Sequence, residues 1–315
     1  MRKSTIILIA LAIVLLGGWY ALHVMERGAL STPERTEFFI VDPATVDSIA
    51  FKYATWTHLK RVGPDWHVIY QDFSYPAAPE MVEEMFTTSN GLVLENVIAT
   101  KAEKHSKFKI DTAGGAILQY FEHGAPVSQM VLGKKAPGFG HTFIRQFESD
   151  TVYQAKGDLL KIFRRVPSDW FEKTIFPYDT TEVQTVQWQE GSSETTVTRA
   201  PGETWRLTKN GGSETAVADT ALLNLKLQKL CPLRADAIQT GAGSVELELT
   251  NPGSRLIVTT FDGRSDTLLF NPIEDRPGAR IPAWRPGRVQ PVFFFFKPSY
   301  DRTFSRYSDL VATES

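Results

Sequence analysis

The chain has 315 residues, of which 42% are hydrophobic and 22% are charged, so it has the composition of a globular protein and the length for two domains. Its 34 Lys and Arg residues against 36 Asp and Glu residues leave a net charge of −2, which provides no positive excess to hold a nucleic acid. The single cysteine, Cys231, excludes an internal disulfide and a cysteine-rich zinc site.

An apolar run near the N-terminus, residues 5–25, contains no charged side chain. A helix of this length would be about 31 Å long, which matches the roughly 30 Å hydrocarbon core of a bilayer. Arg2 and Lys3 precede the run, and the positive-inside rule places residues 1–4 in the cytoplasm as a short tip. The sequence therefore predicts a single-pass membrane anchor, with the rest of the chain on the extracytoplasmic side.

A cleaved signal peptide is the alternative interpretation of the same run. Ala29-Leu30-Ser31 offers small residues of the kind that cleavage requires. However, the run is longer than a usual signal core, and these small residues lie beyond its end, after Glu26 and Arg27. An uncleaved helix is therefore preferred, followed by a polar linker at residues 26–37.

Residues 38–176 are predicted to form a first module of strands and helices. The patterns predict a strand at 46–53, a hairpin across Gly63-Pro64-Asp65, a helix at 79–91, strand pairs around 123–126 and 148–150, and a helix at 157–165. In the first of these helices, Val82, Met85 and Phe86 share one apolar face. Asn90 and Gly91 are expected to end that helix in the left-handed conformation.

Residues 177–315 repeat this order of elements and are predicted to form a second, similar module. RAPGETWRL (199–207) turns the chain and restarts it on a tryptophan, as RVGPDWHV (61–68) does in the first module. The alternative is that β-rich chains look self-similar under loose alignment. Because the order matches across the helix as well as the strands, internal duplication is favoured. The predicted fold is α+β: a transmembrane helix, then two modules of antiparallel sheet with one or two packed helices.

The helix of the second module has a clearer start than its counterpart. Asp219 is expected to cap a helix at 220–230, whose Leu223, Leu227 and Leu230 share one face. Beyond this helix, Gly253 is expected to take the turn position that Gly124 has in the first module.

The sequence contains no motif typical of a catalytic or metal centre. The histidines lack metal-ligand spacing; they are His23, His58, His67, His105, His123 and His141. The carboxylates at the module junction would do acid–base work only if the fold paired them, and a solvated junction is preferred; they are Asp169, Glu172, Asp179 and Glu182. We therefore predict a non-enzymatic protein with no catalytic, cofactor-binding or metal-binding residue, and keep an envelope hydrolase as a distant alternative.

Two C-terminal segments concentrate arginine and aromatic residues. RPGARIPAWRPGR (276–288) is predicted to be a charged loop with one packed tryptophan, and contact with an acidic lipid, sugar or protein surface is the alternative. Its predicted partner-binding residues are Arg280, Trp284, Arg285 and Arg288. VFFFFKPSY (292–300) is predicted to be a strand buried between a sheet and a helix, or a partner-binding patch if one face is exposed.

Several segments together resemble the DUF4340 domain proteins. They are FFIVDPATVDSIAF, the GPDW turn, FKIDTAGG, VLGKK, TFIRQFESDTVYQA and DWFEKTIFPYDTTEVQTVQW, and they cover most of residues 38–210. The resemblance implies a membrane-tethered extracytoplasmic protein associated with ABC-type transport systems, and it supplies no catalytic residues.

The function that this resemblance implies is that of an accessory or scaffold subunit of an ABC-type transport assembly. Such a protein would lie on the periplasmic side of the bacterial inner membrane, with membrane proteins such as an ABC permease or its accessory subunit as partners. The alternative is a periplasmic ligand-binding module for an envelope glycan or lipid.

Overall fold

The computed structural model describes residues 14–20, 39–70, 73–157, 159–212, 214–239, 251–272, 278–287 and 291–311. Residues 14–20 are helical and exposed, and they are named α1. The rest of the predicted anchor, and the linker to residue 37, lie outside the described residues. Across the described ranges, no helix is both long enough and apolar enough to cross a bilayer.

The chain divides into two compact units between Trp170 and Phe171, a few residues before the predicted boundary at 176. Each unit is built mainly from antiparallel strands with a few helices, which makes the fold α+β with a predominance of β structure.

The first unit contains one nine-stranded sheet with the strand order β4-β3-β2-β1-β6-β7-β8-β9-β5. Its strands are β1 (Ser48–Lys52), β2 (Trp56–Val62), β3 (Asp65–Tyr70), β4 (Phe73–Pro76), β5 (Val93–Ala99), β6 (Ala116–Glu122), β7 (Ala125–Lys135), β8 (His141–Gln146) and β9 (Val152–Lys156). Its helices are α2 (Pro79–Asn90), α3 (His105–Phe108) and α4 (Leu160–Phe163), with short 3-10 helices at Ala102–Lys104 and Pro167–Trp170.

The second unit contains a nine-stranded sheet with the order β14-β13-β12-β11-β17-β18-β19-β20-β16, and a small sheet of β10 and β15. Its strands are β10 (Thr174–Phe176), β11 (Val183–Glu190), β12 (Ser193–Thr198), β13 (Arg206–Lys209), β14 (Glu214–Val217), β15 (Leu233–Arg234), β16 (Ala237–Gln239), β17 (Ser254–Thr260), β18 (Ser265–Phe270), β19 (Arg280–Trp284) and β20 (Val292–Phe296). Its helices are α5 (Thr220–Leu230) and α6 (Lys297–Thr303), with 3-10 helices at Asn210–Gly212 and Tyr307–Asp309.

The two large sheets have the same strand order, and this order returns the chain to the far edge in each. In each sheet the chain forms four strands and then a helix, α2 or α5. The strand at the far edge, β5 or β16, comes next, and the four strands that lie between this edge and the first four are formed last. The strand registers also correspond, because Ile49 lies opposite Leu59 in the first unit as Val186 lies opposite Val197 in the second. All four of these side chains are fully buried.

Helix α2 packs on its sheet through the predicted face, since Val82, Met85 and Phe86 are buried. The predicted left-handed end of the helix is wrong, because Gly91 has φ −84. The N–H of Gly91 donates to Thr87 O at the end of the helix. The side chain of Asn90 is instead engaged at long range: its amide donates to Val41 O at 2.8 Å, and its carbonyl accepts from Val41 N at 3.0 Å. The amide thereby pairs with the backbone at the start of the unit.

Helix α5 confirms its predicted cap and its predicted face. Asp219 Oδ1 accepts from Ala221 N at 2.9 Å and from Leu222 N at 3.0 Å, which satisfies two backbone donors that the first turn leaves free. The three leucines of the predicted face are buried; they are Leu223, Leu227 and Leu230.

The turn that corresponds to the one at Gly124 was predicted at the wrong glycine. Gly124 has φ +77 in the turn between β6 and β7, and the equivalent turn between β17 and β18 contains Gly263, with φ +85. Gly253 instead precedes β17, where a side chain would meet Pro272 Cα at 2.8 Å. Gly253 is therefore a position of close backbone approach.

Candidate binding groove

Five residues of the segment predicted as a loop, 276–288, form a strand. Arg280 to Trp284 form β19, which pairs with β20, and Trp284 is only 5% exposed. The loop prediction is wrong for these five residues. Their arginine and proline content indicated a loop, but they pair with the phenylalanine-rich strand β20. The buried Trp284 confirms the packed tryptophan of the preferred interpretation.

The arginines around Trp284 have different environments. Arg285 Nη2 donates to Ile175 O at 2.6 Å, and its Nη1 lies 3.5 Å from Asp266 Oδ1. Arg280 is exposed, with its guanidinium carbon 5.8 Å from the centroid of the Phe296 ring. Arg288 lies outside the described residues.

Residues 292–296 of the phenylalanine-rich segment form the predicted strand, with Val292 to Phe295 buried and Phe296 41% exposed. The prediction is wrong for residues 297–300, which begin α6. Phe295 packs edge-to-face on Phe270 at 5.4 Å, and Tyr300 of α6 packs on the same ring at 5.2 Å. Most of this strand is therefore core, as the preferred interpretation predicts.

Each unit has an arginine stacked on the tryptophan of its β-hairpin. The guanidinium of Arg61 lies 5.1 Å from the Trp66 ring centroid, and that of Arg199 lies 4.6 Å from the Trp205 ring centroid. Both arginines also bind the turn before the first strand of their sheet, Arg61 through Pro43 O at 2.6 Å and Arg199 through Thr180 O at 2.7 Å. Sequence reasoning missed these arginines, although each begins the hairpin segment that revealed the repeat.

The outer face of the first sheet carries a groove, which we call the β1–β2 groove. Its volume is about 600 Å³, within the usual range for small-molecule sites. Successive side chains of a strand point to opposite faces, so the groove collects alternate residues of β1, β2, β3 and β6. The side chains that line it on this face include Ala50, Trp56, His58, Ile69, Gln119 and Phe121.

The floor and the walls of the β1–β2 groove differ in size and in chemistry. Ala50 is buried and small, and it lies opposite His58 on one side and Gln119 on the other. Trp56 is 42% exposed and stacks on His58, with ring centroids 5.8 Å apart at 20°. Phe121, on the far side of the floor, is partly buried. The groove therefore combines an accessible aromatic ring with apolar walls.

Polar groups line the same groove. Gln119 Nε2 donates to Gln129 Oε1 at 2.8 Å, which orients its amide, and the exposed side chain of Lys60 stands at the rim. The Ser48 hydroxyl donates to Asp47 Oδ1 at 2.8 Å, and this hydrogen bond lowers the pKa of the Asp47 carboxyl. A ligand in the groove would meet both aromatic surface and hydrogen-bonding groups.

The corresponding face of the second sheet has no comparable aromatic lining at the described positions. The strand registers give the counterparts as Gln187 for Ala50, Glu194 for Trp56, Thr196 for His58, Thr208 for Ile69 and Thr259 for Phe121. Ile257 takes the place of Gln119, so one polar position becomes apolar. The other replacements remove the aromatic rings and leave polar side chains of the kind that antiparallel sheets present to water.

A second cavity in the first unit, of about 430 Å³, lies beside the arginine–tryptophan stack. Its lining includes Arg61, Trp66, Val82, Phe86 and Asn90. The rings of Trp66 and Phe86 are 5.9 Å apart, so the tryptophan packs against α2. Arg61 Nε is buried and has no hydrogen-bond partner among the described residues. This cavity is smaller than the groove.

The junction carboxylates accept local hydrogen bonds instead of forming an acid–base pair. Asp169 Oδ2 accepts from Val166 N at 3.1 Å, and Glu172 Oε1 accepts from Thr174 N at 2.6 Å. Asp179 Oδ1 accepts from Thr181, and these bonds lower the pKa of the Asp179 carboxyl. Each carboxylate thereby fixes a turn.

The histidines also make separate contacts. His141 pairs with Glu95 at 2.9 Å, His105 Nε2 lies 3.0 Å from Asp150 O, and His67 Nδ1 lies 3.0 Å from Ser74 Oγ. Within the part of the chain that the structure describes, no three His, Cys, Asp or Glu side chains form a group that could hold a metal ion.

Comparison with known proteins supplies the family. No curated protein and no solved structure matches the chain. The model of one family, described as a domain of unknown function, DUF4340, matches residues 66–252, which is more than half of the sequence. The chain belongs to the DUF4340 family.

Proposed function

We propose that the chain is a non-enzymatic accessory subunit of an ABC-type transport assembly. Residues 5–25 anchor it in the bacterial inner membrane, both units lie in the periplasm, and the β1–β2 groove binds a membrane-protein partner. The observation that carries this proposal is the difference between the outer sheet faces of two units that share one strand order.

The shared architecture makes that difference informative. We attribute the equal strand order and the paired arginine–tryptophan stacks to duplication of one ancestral unit. After a duplication, surface positions change more freely than core positions, so a surface that differs between the copies is where their roles diverge. The first unit keeps an accessible tryptophan at such a surface, and tryptophan is enriched among the residues that dominate binding energies.

A triple substitution tests the proposal by replacing three residues of the β1–β2 groove with their counterparts from the second unit. In the full-length chain, Trp56→Glu, His58→Thr and Phe121→Thr together should abolish the retrieval of membrane partners from detergent-solubilised membranes. The matched control changes the corresponding residues of the second unit, Glu194→Ala, Thr196→Ala and Thr259→Ala, and should retrieve every partner.

Thermal unfolding must accompany this pull-down, because a loss of partners is informative only if the variant is folded. The substituted positions lie on an outer sheet face, so both triple variants should unfold near the parent Tm. A folded groove variant that retrieves the same partners as the parent would disprove a partner-binding role for this groove.

The membrane anchor needs its own test. A reporter that is active only outside the cytoplasm, fused after Ser315, should give a signal, and the full-length chain should remain in the membrane fraction. Absence of the reporter signal, or a mature chain that begins near Thr32, would contradict the anchor at residues 5–25.

A periplasmic ligand-binding module for an envelope glycan is the second candidate function. The exposed ring of Trp56, with Gln119 and Lys60 nearby, is an arrangement on which a sugar could stack and form hydrogen bonds. Titration of soluble envelope glycan fragments should then quench the tryptophan fluorescence of the parent in a saturable manner and leave the Trp56→Glu variant unchanged. Saturable binding without a membrane partner would favour this candidate over the first.

A further inference from the structure

A polar cavity of about 250 Å³ lies in the second unit, between α5, α6 and the segment that follows α6. We call it the Lys226 cavity. At roughly 30 Å³ for each water molecule in the liquid, it has room for a molecule of several non-hydrogen atoms. It is separate from the β1–β2 groove and does not depend on the function proposed above.

Lys226 occupies a position that the first unit gives to a core residue. It is the seventh residue after the N-cap of α5, and Met85, which is fully buried, is the seventh after the N-cap of α2. The buried neighbours correspond as well, with Leu223 in the place of Val82 and Leu227 in the place of Phe86. The second unit has therefore placed an ammonium group where its counterpart has a thioether.

The ammonium of Lys226 is held by neutral groups only. Its Nζ donates to Asp301 O at 2.9 Å and to Phe304 O at 3.0 Å, and no carboxylate of the described residues lies within 4.0 Å of it. Burial lowers the pKa of this ammonium, and the nearby charges of Asp309 and Asp301, which do not contact it, oppose that shift. An ammonium has three donors, so one remains for a further acceptor.

A second unsatisfied group lines the same cavity. Ser305 is 2% exposed, and its Oγ is buried without a hydrogen-bond partner among the described residues. A buried hydroxyl without a partner destabilises the folded state, because it has lost its hydrogen bonds to water without replacement. A cavity ligand that accepts a hydrogen bond from Ser305 would remove this cost.

The other charged groups of the cavity already have partners. Arg306 pairs with Glu190 at 2.9 Å, and Lys297 pairs with Asp301 at 2.5 Å. Asp309 Oδ2 accepts from Arg306 N at 2.9 Å. Among the described residues, Lys226 is therefore the cation of this lining that no carboxylate contacts, although Asp309 and Asp301 are near enough to attract it.

We infer that the Lys226 cavity binds a small anion, through a carboxylate or phosphate group that accepts hydrogen bonds from Lys226 Nζ and Ser305 Oγ. Both donors suit either anion, and the ion pair with Lys226 would replace the hydration that the ammonium loses on burial. Neutral molecules of the same size would satisfy the hydroxyl and leave the ammonium without a counter-ion.

The test compares acetate and inorganic phosphate as probes of the purified full-length chain in detergent. Each should raise the Tm above that in chloride of equal ionic strength, because a ligand that binds the folded state alone stabilises it. The probe with the tighter Kd by calorimetry identifies the group as carboxylate or phosphate. Either result supports the site.

Substitutions locate the binding. Lys226→Met reproduces the residue of the first unit, so it should fold and should weaken the anion at least about tenfold; Ser305→Ala should weaken it less. Lys229→Met, on an exposed position of the same helix, should leave the Kd unchanged. Tm values that respond alike to acetate, phosphate and chloride, or a Lys226→Met variant that binds as the parent does, would overturn the inference.

Discussion

Arg199 lies over the face of Trp205, with its guanidinium 4.6 Å from the ring centroid, and also donates from Nε to Val183 O at 3.0 Å. One side chain thus joins the hairpin of the second unit to the turn before its first central strand. The guanidinium geometry suits this role, because its planar fork can bind backbone oxygens at its edge while its face stacks on an aromatic ring.

Replacement of Arg199 should therefore reduce stability. Arg199→Met keeps most of the packing but removes the hydrogen bonds to Val183, Thr180 and Thr181 carbonyls, and we expect a loss of about 1–3 kcal/mol. Arg61→Met should cost less, since among the described residues the Arg61 side chain donates one hydrogen bond, to Pro43 O. Urea unfolding measures both losses. Equal losses, or none, would show that the hydrogen bonds do not set the stability of these turns.

The two tryptophans should differ in their contribution to the core. Trp205 is 5% exposed, so Trp205→Ala should cost on the order of 3–5 kcal/mol. Trp66 is only partly buried, against Phe86, and Trp66→Ala should cost about half as much. Denaturant midpoints of the two variants compare these costs directly. A larger loss at Trp66 than at Trp205 would contradict the ranking.

The cap of α5 is a separable contribution to stability. Asp219→Ala removes the acceptor of two backbone N–H groups and should lower the free energy of unfolding by about 1 kcal/mol. Thr220→Ala, at the exposed first position of the helix, is the control and should have little effect. If both variants unfold like the parent, the cap does not limit the stability of the second unit.

The single cysteine should be chemically inert in the folded protein. Burial, with smaller effects of Asp179 and Glu182, raises the pKa of the Cys231 thiol to about 12. At neutral pH the folded protein therefore holds almost no thiolate, which is the reactive form, whereas the unfolded chain has an ordinary thiol. Iodoacetamide at pH 8 should alkylate the denatured chain quickly and the native chain very slowly, as mass spectrometry would show. Rapid alkylation of the native chain would indicate an exposed thiol.

Sequence patterns predicted the features that depend on neighbouring residues. The buried face of α2 follows from helical spacing, and the Asp219 cap follows from an aspartate just before a helical pattern. The strand at 292–296 follows from an uninterrupted apolar run. Features that depend on distant pairing escaped prediction. Arg280 to Trp284 became a strand because β20 pairs with it, and the correct turn glycine is Gly263, ten residues beyond the predicted one.

The β1–β2 groove also could not be predicted from local sequence patterns. His58 and Gln119 lie on either side of Ala50 only because β1 pairs with β2 and with β6. No local pattern brings residues so far apart in sequence onto one face of a sheet. The tryptophan at position 56 carried no signal of its own, because a single aromatic residue in a strand is more often part of a core.

The shared strand order has a practical consequence for dissecting the protein into fragments. The family match begins inside β3 and ends just before β17, so a fragment of residues 66–252 would lack β1 and β2 from one sheet and β17 to β20 from the other. The missing strands are central, and their removal would leave β6 and β11 with unpaired edges that invite aggregation. Division between Trp170 and Phe171 leaves both nine-stranded sheets with their interior strands, and it is the division that we expect to give soluble halves.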